Sequence, residues 1–294
     1  MDAPEFFLYL PQLRMDVDAI VDRAVAAEAS GFRGIAFMDH MAPPLAESQP
    51  MYEAMTLDTW VAARTTDLCI GHLVLCDAFR HPAVLARQAA TLDRASGGRF
   101  ELGIGWGSMG AELVAYGITG DPPAARVARL DESLELIRAL WSGEPVRYAG
   151  AHFTLDCAGQ QPAPRGRLPI VVGGAGPKTL DLVRRHADWW NLPMYALDRL
   201  EELRAEAGTA RVSSQHLLAY VADPPRRAEV TELATRRFGG MAGGALVGDG
   251  DELAEHFRGL SERGVQRFYC WFCDFAPVET LAAFGEQVIA ALVR

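Results

Sequence analysis

The sequence lacks three features that would place the protein in a membrane, in a secretory pathway or on nucleic acid. No uninterrupted apolar run reaches the roughly 20 residues that a membrane-spanning helix needs. The stretch MDAPEFFLYLPQLRMD has no basic segment ahead of an apolar one, so it is unlike a signal peptide. With 28 Lys and Arg against 38 Asp and Glu, the net charge of −10 disfavours a nucleic-acid partner. We therefore expect a cytoplasmic protein that binds neither a membrane nor nucleic acid.

Motifs for metal binding and nucleophilic catalysis are also scarce. The five cysteines include one C-x-x-C pair, Cys270 and Cys273, but no second C-x-x-C or H-x-x-H completes a metal set. The pair lies in the apolar run FYCWFC, which predicts a buried strand, where residues three apart point to opposite faces. We therefore interpret both cysteines as small core residues and predict no metal site. The sequence has no nucleophile elbow, no Walker motif and no close pair of carboxylates.

What the sequence does contain is a regular alternation of strand and helix patterns. The 294 residues, half of them hydrophobic, suffice for one α/β barrel and its core. Short apolar runs predict eight strands, at residues 5–10, 34–38, 68–75, 100–104, 168–172, 188–192, 215–221 and 267–272. Because helical patterns separate these runs, we predict a (β/α)8 TIM barrel, an α/β fold, as a single domain over residues 1–294.

Three segments depart from the alternation. Residues 142–167 are rich in Gly, Pro and aromatic residues, and they predict an insertion that forms a hairpin or a lid over the barrel mouth. Residues 108–126 predict an irregular loop, followed by a helix over 130–141. Residues 239–250 contain so many glycines that we expect the most flexible part of the chain there.

TIM barrels carry their sites at the carboxyl ends of the strands, so the residues just after each strand are the candidates. Asp39 and His40 follow the second strand. His40 is suited to donate a hydrogen bond to an anionic ring or to move a proton. Asp39 either orients the imidazole or caps the loop. Arg80, after the third strand, either binds a phosphate or carboxylate or forms a surface salt bridge.

Glycines after the fourth strand predict a slot for a flat ring system. Gly105 and Gly107 flank Trp106, which either forms a wall of the slot or belongs to the core. The segment GWGSMG formally matches G-x-G-x-x-G, but no helix is expected to start there. We therefore favour close approach of a ring to the backbone over a dinucleotide fingerprint.

A second glycine-rich segment, GGAGPKT, predicts an anion site where the fifth strand meets the fifth helix. Free N–H groups and the positive end of a helix dipole bind phosphate at such a turn. The candidate phosphate ligands are Gly173, Gly174, Ala175, Gly176 and Thr179. Asn191, after the sixth strand, is placed to reach the same ligand. The combination is typical of a phosphorylated planar redox cofactor with His40 above its ring.

Five segments together resemble the luciferase-like monooxygenase superfamily, which includes F420-dependent oxidoreductases. The segments are FMDH (37–40), RTTDLCIGHLVLCDAFRHPAVLARQAATLDRASGGRFELGIGWG (64–107), RLDESLELIRALW (129–141), PIVVGGAGPKTLDLVRRHADWWN (169–191) and GDGDELAEHFRGLSERGVQRF (248–268). The resemblance implies a (β/α)8 barrel that binds FMN or the deazaflavin coenzyme F420, with the phosphate at the glycine-rich turn. It also implies a cis peptide near Leu73 and Val74 beneath the ring. His40 matches the pocket histidine of deazaflavin-dependent members.

One departure from the family pattern concerns the loop after the fourth strand. In the sugar-phosphate dehydrogenase branch this loop continues to a catalytic glutamate. Ser108 occupies that position here, and Glu112 lies nearby but out of register. The resemblance therefore does not carry that activity over to this chain.

The resemblance leaves two enzyme mechanisms and one other role open. A deazaflavin enzyme would exchange a hydride with an organic substrate without using oxygen. An FMN enzyme would take reduced flavin from a partner reductase and oxygenate its substrate with O2. A flavin-binding protein without activity is the third possibility. The Asp-His pair after the second strand and the likeness to the F420 branch favour F420.

The substrate pocket is predicted from apolar and aromatic residues in the segments around the barrel mouth. They indicate a small, fairly apolar organic substrate. The candidates for substrate contact are Tyr52, Met55, Ser108 and Phe153. The family resemblance also implies a homodimer.

Overall fold

The structure is a computed structural model that describes residues 3–44, 46, 48–157, 159–241 and 244–293. The strands are β1 (Glu5–Tyr9), β2 (Gly34–Phe37), β3 (Cys69–His72), β4 (Leu75–Cys76), β5 (Leu102–Gly105), β6 (Val146–Ala149), β7 (Thr154–Cys157), β8 (Ile170–Gly173), β9 (Trp189–Leu192), β10 (Arg211–Tyr220), β11 (Leu246–Gly248) and β12 (Val265–Phe272). The helices are α1 (Val17–Ala29), α2 (Ala54–Ala62), α3 (Pro82–Ala95), α4 (Gly110–Ala115), α5 (Pro123–Trp141), α6 (Pro177–His186), α7 (Leu200–Glu206), α8 (Arg227–Phe238), α9 (Gly250–Glu262), α10 (Val278–Phe284) and α11 (Ala290–Val293). No helix within these described ranges is both long and apolar enough to cross a membrane.

The main sheet is parallel and closes into a barrel. Its strands run in the order β3–β2–β1–β12–β10–β9–β8–β5–β4. The two ends meet because the Ile70 amide of β3 donates to the Arg99 carbonyl at 2.8 Å, and the Ile70 carbonyl accepts from the Glu101 amide at 3.0 Å. β3 and β4 are thus two parts of one interrupted strand, so eight strands enclose the barrel. The predicted (β/α)8 fold is confirmed.

Local sequence signals set the ends of several helices. The Asp16 side chain caps α1 by accepting the Ala19 amide at 2.8 Å. Asp249 and Glu252 form a reciprocal capping box at the start of α9. α3 begins at Pro82 and is followed by Gly97, which has a φ of 76° that favours glycine. These helices pack around the barrel and bury its apolar outer surface.

Several predicted boundaries were wrong. Residues 108–126 hold α4 and the start of α5, which begins at Pro123 and not at residue 130. The exposed first turn of α5 has no apolar periodicity to indicate it. β10 begins at Arg211 because the buried polar residues Ser213 and Ser214 continue the strand, although they interrupt its apolar pattern. The glycine-rich segment 239–250 contains β11, which pairs with β10.

The C-x-x-C residues are buried, unpaired thiols. Cys270 is 0% exposed in the main core, and Cys273 is 3% exposed in a separate cluster with Leu217 and Phe238. Burial raises the pKa of both thiols, that of Cys273 to about 12. Their interpretation as core residues is confirmed.

The insertion at 142–167 contains the antiparallel hairpin β6–β7. The amides of Ala151 and His152, at its tip, donate to the Glu132 carboxylate on α5 at 2.8 and 3.0 Å. The Phe153 ring packs edge-on against His81, with ring centroids 5.4 Å apart. The hairpin therefore packs against the outside of α5 and the start of α3.

The amino-terminal end of the barrel is filled by one arginine. Arg267 of β12 is 3% exposed, and its guanidinium lies 4.0 Å from the Phe7 ring centroid and 3.8 Å from that of Trp189. Its nitrogens contact the Glu101 and Glu5 carboxylates at 2.6 Å each. Because both charges are buried together, Glu101 has its compensating charge only while Arg267 is present.

We predict that Arg267→Met will lower the free energy of unfolding by about 3–5 kcal/mol, because it leaves the Glu101 charge buried without its partner. The measurement is urea unfolding followed by circular dichroism. The double variant Arg267→Met/Glu101→Leu should recover part of this loss. The control is Arg147→Ala, whose pair with Asp156 is 84% and 74% exposed and should contribute little. Equal losses for Arg267→Met and Arg147→Ala would contradict the prediction.

Candidate active site

A cavity of about 540 Å³ opens at the carboxyl ends of the barrel strands, a volume typical of small-molecule sites. Eleven of the residues predicted from the sequence line it, namely Asp39, His40, Leu73, Val74, Gly105, Trp106, Gly107, Ser108, Gly173, Gly174 and Asn191. Segments far apart in the sequence thus meet at one pocket. The individual roles of these residues stay predictions.

His40 is held by a carboxylate that the sequence did not assign to it. Its Nδ1 lies 2.9 Å from Oε2 of Glu112, and the two side chains are 24% and 12% exposed. The other carboxylate oxygen, Oε1, accepts the amides of Met41 at 2.6 Å and Ala42 at 3.3 Å. Glu112 therefore fixes the imidazole and the start of the loop after β2 together. Glu112 lines the pocket although it lies four positions after Ser108 in the sequence, because the residues between them lead into α4, which carries Glu112.

Asp39 does not orient His40. Its carboxylate accepts two hydrogen bonds from Arg80, at 2.6 and 3.0 Å, and one from the Cys76 amide at 2.8 Å. Arg80 also pairs with Glu53. Burial disfavours the Arg80 charge, but the hydrogen bonds to Asp39 and Glu53 outweigh it and raise the pKa of Arg80. Of the two roles open for Arg80, the structure shows a salt bridge, but the pair with Asp39 is largely buried and does not lie at the surface.

The pocket floor is the interruption between β3 and β4. The peptide bond between Leu73 and Val74 is cis, as the family resemblance implies. A Cβ on Gly105 would lie 2.7 Å from Val74 Cγ2, and one on Gly103 would lie 1.8 Å from the His72 carbonyl oxygen. These glycines therefore let β5 pass the interruption. Glycine is therefore needed at these two positions for the packing of the strands, whether or not a ring approaches the backbone.

A buried contact between a histidine and a carboxyl group lies behind this floor. His72 Nε2 is 2.7 Å from Oδ2 of Asp58 on α2, and both side chains are fully buried. Burial raises the pKa of Asp58 to about 6, although attraction to His72 opposes the shift. Because His72 directly precedes Leu73, the pair ties α2 to the floor of the pocket.

The glycine-rich turn lies at the pocket edge. Gly174 has a φ of 137°, and its amide donates to the Asn191 carbonyl at 3.1 Å while its carbonyl accepts from Trp190 Nε1 at 2.8 Å. Gly176 is the N-cap of α6, whose first amides have no acceptor within the helix. Ala175, Gly176 and Thr179 belong to this turn but are outside the lining of the cavity.

Two polar groups on neighbouring strands face the pocket beside this turn. Asn191 accepts a hydrogen bond from Ser213 through Oδ1 at 3.3 Å, which leaves its amide nitrogen free to donate to a ligand. Gln215 of β10 also lines the cavity and was missed from the sequence. The feature of the sequence that could have indicated Gln215 is a polar residue within an otherwise buried strand.

Three predicted substrate residues lie elsewhere. Tyr52 and Met55 line a separate groove of about 830 Å³ between α2 and α3, on the outside of the barrel. Phe153 is 8% exposed and packs under the hairpin against His81. Their assignment to the substrate pocket was wrong, because apolar character does not show which side of a helix or hairpin a residue faces. Ser108 does line the pocket.

One group in the described part of the chain has metal-ligand chemistry, and it lies outside the pocket. It consists of Asp131 and Glu135 of α5 with His186 of α6. Arg185 contacts both oxygens of Asp131, at 2.7 and 2.8 Å. A cation thus already neutralises this carboxylate.

Comparison with known proteins agrees with this architecture. The chain is 36% identical over 170 residues to an F420-dependent glucose-6-phosphate dehydrogenase of Nakamurella multipartita, covering 58% of this chain and 50% of that protein. It is 32% identical over 227 residues to an F420-dependent hydroxymycolic acid dehydrogenase of Mycobacterium tuberculosis, covering 74% and 62% respectively. The chain thus spans about half to three-fifths of the length of these relatives.

Among solved structures, an F420-dependent secondary alcohol dehydrogenase in complex with an F420-acetone adduct superposes with a TM-score of 0.83, at 22% identity and complete coverage of both chains. At this identity the likeness shows the fold. The family model described as luciferase-like monooxygenase matches residues 4–238. Since this match covers most of the barrel and includes the pocket segments from β2 to β10, the chain belongs to the luciferase-like monooxygenase family.

Proposed function

We propose that the protein is an oxidoreductase that uses coenzyme F420 to transfer a hydride to or from a small organic substrate. The observation that supports the proposal is the His40–Glu112 pair, which is suited to proton transfer and lines the same cavity as Leu73 and Val74. Both curated relatives described above are named F420-dependent dehydrogenases, which favours the deazaflavin over FMN.

The residues at the pocket fit a phosphorylated planar cofactor. The free amides at the start of α6 suit a phosphate, and Lys178, the single lysine of the sequence, adds positive charge in that first turn. Leu73 and Val74 offer an apolar floor for a flat ring. Asn191 and Gln215 provide polar groups for its edge.

The bound deazaflavin would supply a ring carbon that accepts or donates a hydride. Since Nδ1 of His40 contacts Glu112, Nε2 is the nitrogen left for the substrate. During alcohol oxidation the substrate carbon loses a hydride, the hydroxyl proton passes to Nε2, and the C–O bond becomes a carbonyl. The Glu112 carboxylate stabilises the imidazolium that forms. In the reductive direction His40 returns the proton to the oxygen.

We predict that the protein binds F420 at micromolar concentration and that His40→Ala lowers kcat about 10²–10⁴-fold, because general acid–base catalysis is lost. Cofactor affinity should stay within a few-fold of wild type, since the proposed mechanism uses Nε2 of His40 for the substrate and Nδ1 for Glu112. Fluorescence titration with F420 and FMN, each oxidised and reduced, measures binding. Glu112→Gln should give an intermediate loss, because it retains an oxygen for the Met41 amide but no charge for His40.

The matched control is His152→Ala, an exposed histidine on the hairpin, which should leave turnover unchanged. Preference for reduced FMN would overturn the F420 assignment and favour the oxygen-using monooxygenase with a partner reductase. Cofactor binding without turnover of any donor would favour a binding protein. Unchanged turnover in His40→Ala would remove the proton-transfer role.

The glycine-rich turn yields a second prediction about cofactor binding. Gly174→Ala should raise the Kd for F420 about tenfold or more, because the φ of 137° is strained for alanine and the new Cβ would lie 2.8 Å from Thr179 Cγ2. The control is Gly166→Ala, at an exposed glycine with no heavy atom within 4 Å of a built Cβ. Thermal unfolding verifies that both variants fold. An unchanged Kd in folded Gly174→Ala would rule out this turn as the phosphate site.

We further propose a homodimer that associates through the outer faces of α2 and α3. The groove between these helices is lined largely by apolar side chains, and Trp60 on its rim is 44% exposed. An exposed apolar surface of this kind is typical of an interaction site.

Light scattering should therefore report two copies, and Trp60→Glu should weaken association at least about tenfold, since buried aromatic residues dominate interface energies. The control is Val25→Glu, at an equally exposed apolar residue on α1. A monomeric wild-type protein, or a Trp60→Glu variant that dimerises normally, would contradict the proposal.

A further inference from the structure

Arg126, in the first turn of α5, is a buried cation without a carboxylate partner. It is 6% exposed, and no carboxylate of the described residues forms an ion pair with it. Its Nη1 donates to the Asp121 carbonyl at 2.8 Å, and its Nε has no hydrogen-bond partner within the described ranges. Burying a charge without a compensating charge is costly. The stability of the fold therefore does not explain why an arginine occupies this position.

The guanidinium of Arg126 contacts two parts of the segment that follows β5. Its Cζ lies 5.2 Å from the ring centroid of Trp106, which lines the cavity. A Cβ on Gly110 would lie 3.2 Å from Nη1, 3.4 Å from Nη2 and 3.7 Å from Cζ, so the guanidinium packs against the backbone of this glycine. A guanidinium can do this because it is planar, stacks on aromatic faces and donates from its edge. Arg126 thus joins the pocket wall, the start of α4 and the residues ahead of α5.

The segment held in this way supplies much of the pocket. Six of the residues from Trp106 to Leu113 line the cavity, and one of them is Glu112. Gly110 is the first residue of α4, and Glu112 follows it by two positions. α4 has only six residues and no side-chain cap, so contacts with the rest of the protein hold it in place. A displacement of Gly110 would therefore move Glu112 relative to His40.

Arg126 itself is absent from the described lining of the cavity. Any effect of its guanidinium on a reaction in the pocket therefore passes through Trp106 or Glu112. The relevant contact of Glu112 is with Nδ1 of His40, at 2.9 Å. While the imidazole is neutral, a hydrogen on Nδ1 donates to the carboxylate and Nε2 is the basic nitrogen. The position of Glu112 therefore selects the tautomer of His40 that can accept a proton through Nε2.

We propose that Arg126 is a positioning residue, which holds α4 so that Glu112 keeps His40 in the tautomer with a basic Nε2. The proposal rests on the proposed function only for the proton transfer that this tautomer serves. A lysine cannot take the same role, because its ammonium is a compact point charge that cannot lie flat against two groups and also donate to a carbonyl. The requirement is therefore for the shape of the guanidinium as well as its charge.

Arg126→Lys separates these two properties, because it keeps the charge and removes the planar group. The tautomer of His40 is measured by nitrogen NMR of the full chain with labelled histidine, without cofactor or substrate, at about pH 9, above the usual pKa of histidine. His40→Ala identifies the signals. We expect the form with hydrogen on Nδ1 to predominate in the wild type. Its ratio to the other tautomer should fall at least about fivefold in Arg126→Lys, a change typical of residues in one network.

Gly110→Ala perturbs the same contact from the other side. Its Cβ would lie 3.2 Å from Nη1 of Arg126 and displace the guanidinium, so the tautomer ratio should fall in this variant as well. Because both substitutions break one contact, the double variant should show no larger fall than Arg126→Lys alone. Thermal unfolding verifies that each variant folds, and Gly110→Ala carries the test if Arg126→Lys does not fold.

The matched control is Arg138→Lys, on the same helix. Arg138 lies 5.7 Å from the Trp141 ring centroid and donates to the Leu168 carbonyl at 2.9 Å, so it combines an aromatic contact with a carbonyl acceptor as Arg126 does. It has no contact with the described lining of the cavity through either group. The tautomer ratio of His40 should therefore be that of the wild type in this variant.

An unchanged ratio in folded Arg126→Lys, an equal fall in Arg138→Lys, or additive effects of Arg126→Lys and Gly110→Ala would overturn the positioning role. Because no cofactor is added, this measurement is independent of F420. A fall in the ratio together with no binding of F420 would support the positioning role and reject the proposed function. Binding of F420 with an unchanged ratio would do the reverse.

Discussion

Closure of the barrel through the interrupted third strand is the constraint on which the rest of the structure depends. The backbone of β3 pairs with β2 and with the residues ahead of β5, and β4 then pairs with β5 itself. Between them the chain turns at Leu73 and Val74, and β5 accommodates this turn only through Gly103 and Gly105. The pocket floor is thus a product of barrel closure, and the groups above it are positioned relative to that floor.

Neutralisation of charge decides which groups at the pocket remain available for chemistry. Asp39 is neutralised by Arg80, and Asp58 behind the floor is paired with His72. Glu112 is bonded to two amides and to His40. Among these groups, the His40 imidazole is oriented by Glu112 through Nδ1, lines the cavity and has a second ring nitrogen. The proposed hydride exchange with a deazaflavin would require one such proton carrier.

Much of this site follows from the sequence, because the carboxyl ends of parallel strands meet at one face. That rule was enough to bring together His40, the glycines around Trp106 and the turn at Gly174. It was not enough for Glu112, which lies on a six-residue helix without a capping signal and meets a partner 72 positions away. Arg80 was ambiguous for the same reason, since its partners Asp39 and Glu53 are distant in the chain. The sequence also does not show which way a side chain points, and for this reason Tyr52 and Met55 were predicted at the pocket although they line the groove between α2 and α3.

The two oxygens of Glu112 serve different parts of the molecule, and this has a thermodynamic consequence. One oxygen contacts the His40 imidazole, and the other accepts the backbone amide that leads into the loop after β2. A change that displaces the Met41 and Ala42 amides would also act on the imidazole, and the coupling is reciprocal because both groups bind the same carboxylate. The backbone at the start of the loop and the orientation of the imidazole are therefore coupled through one carboxylate, and a change in the position of either would alter the other.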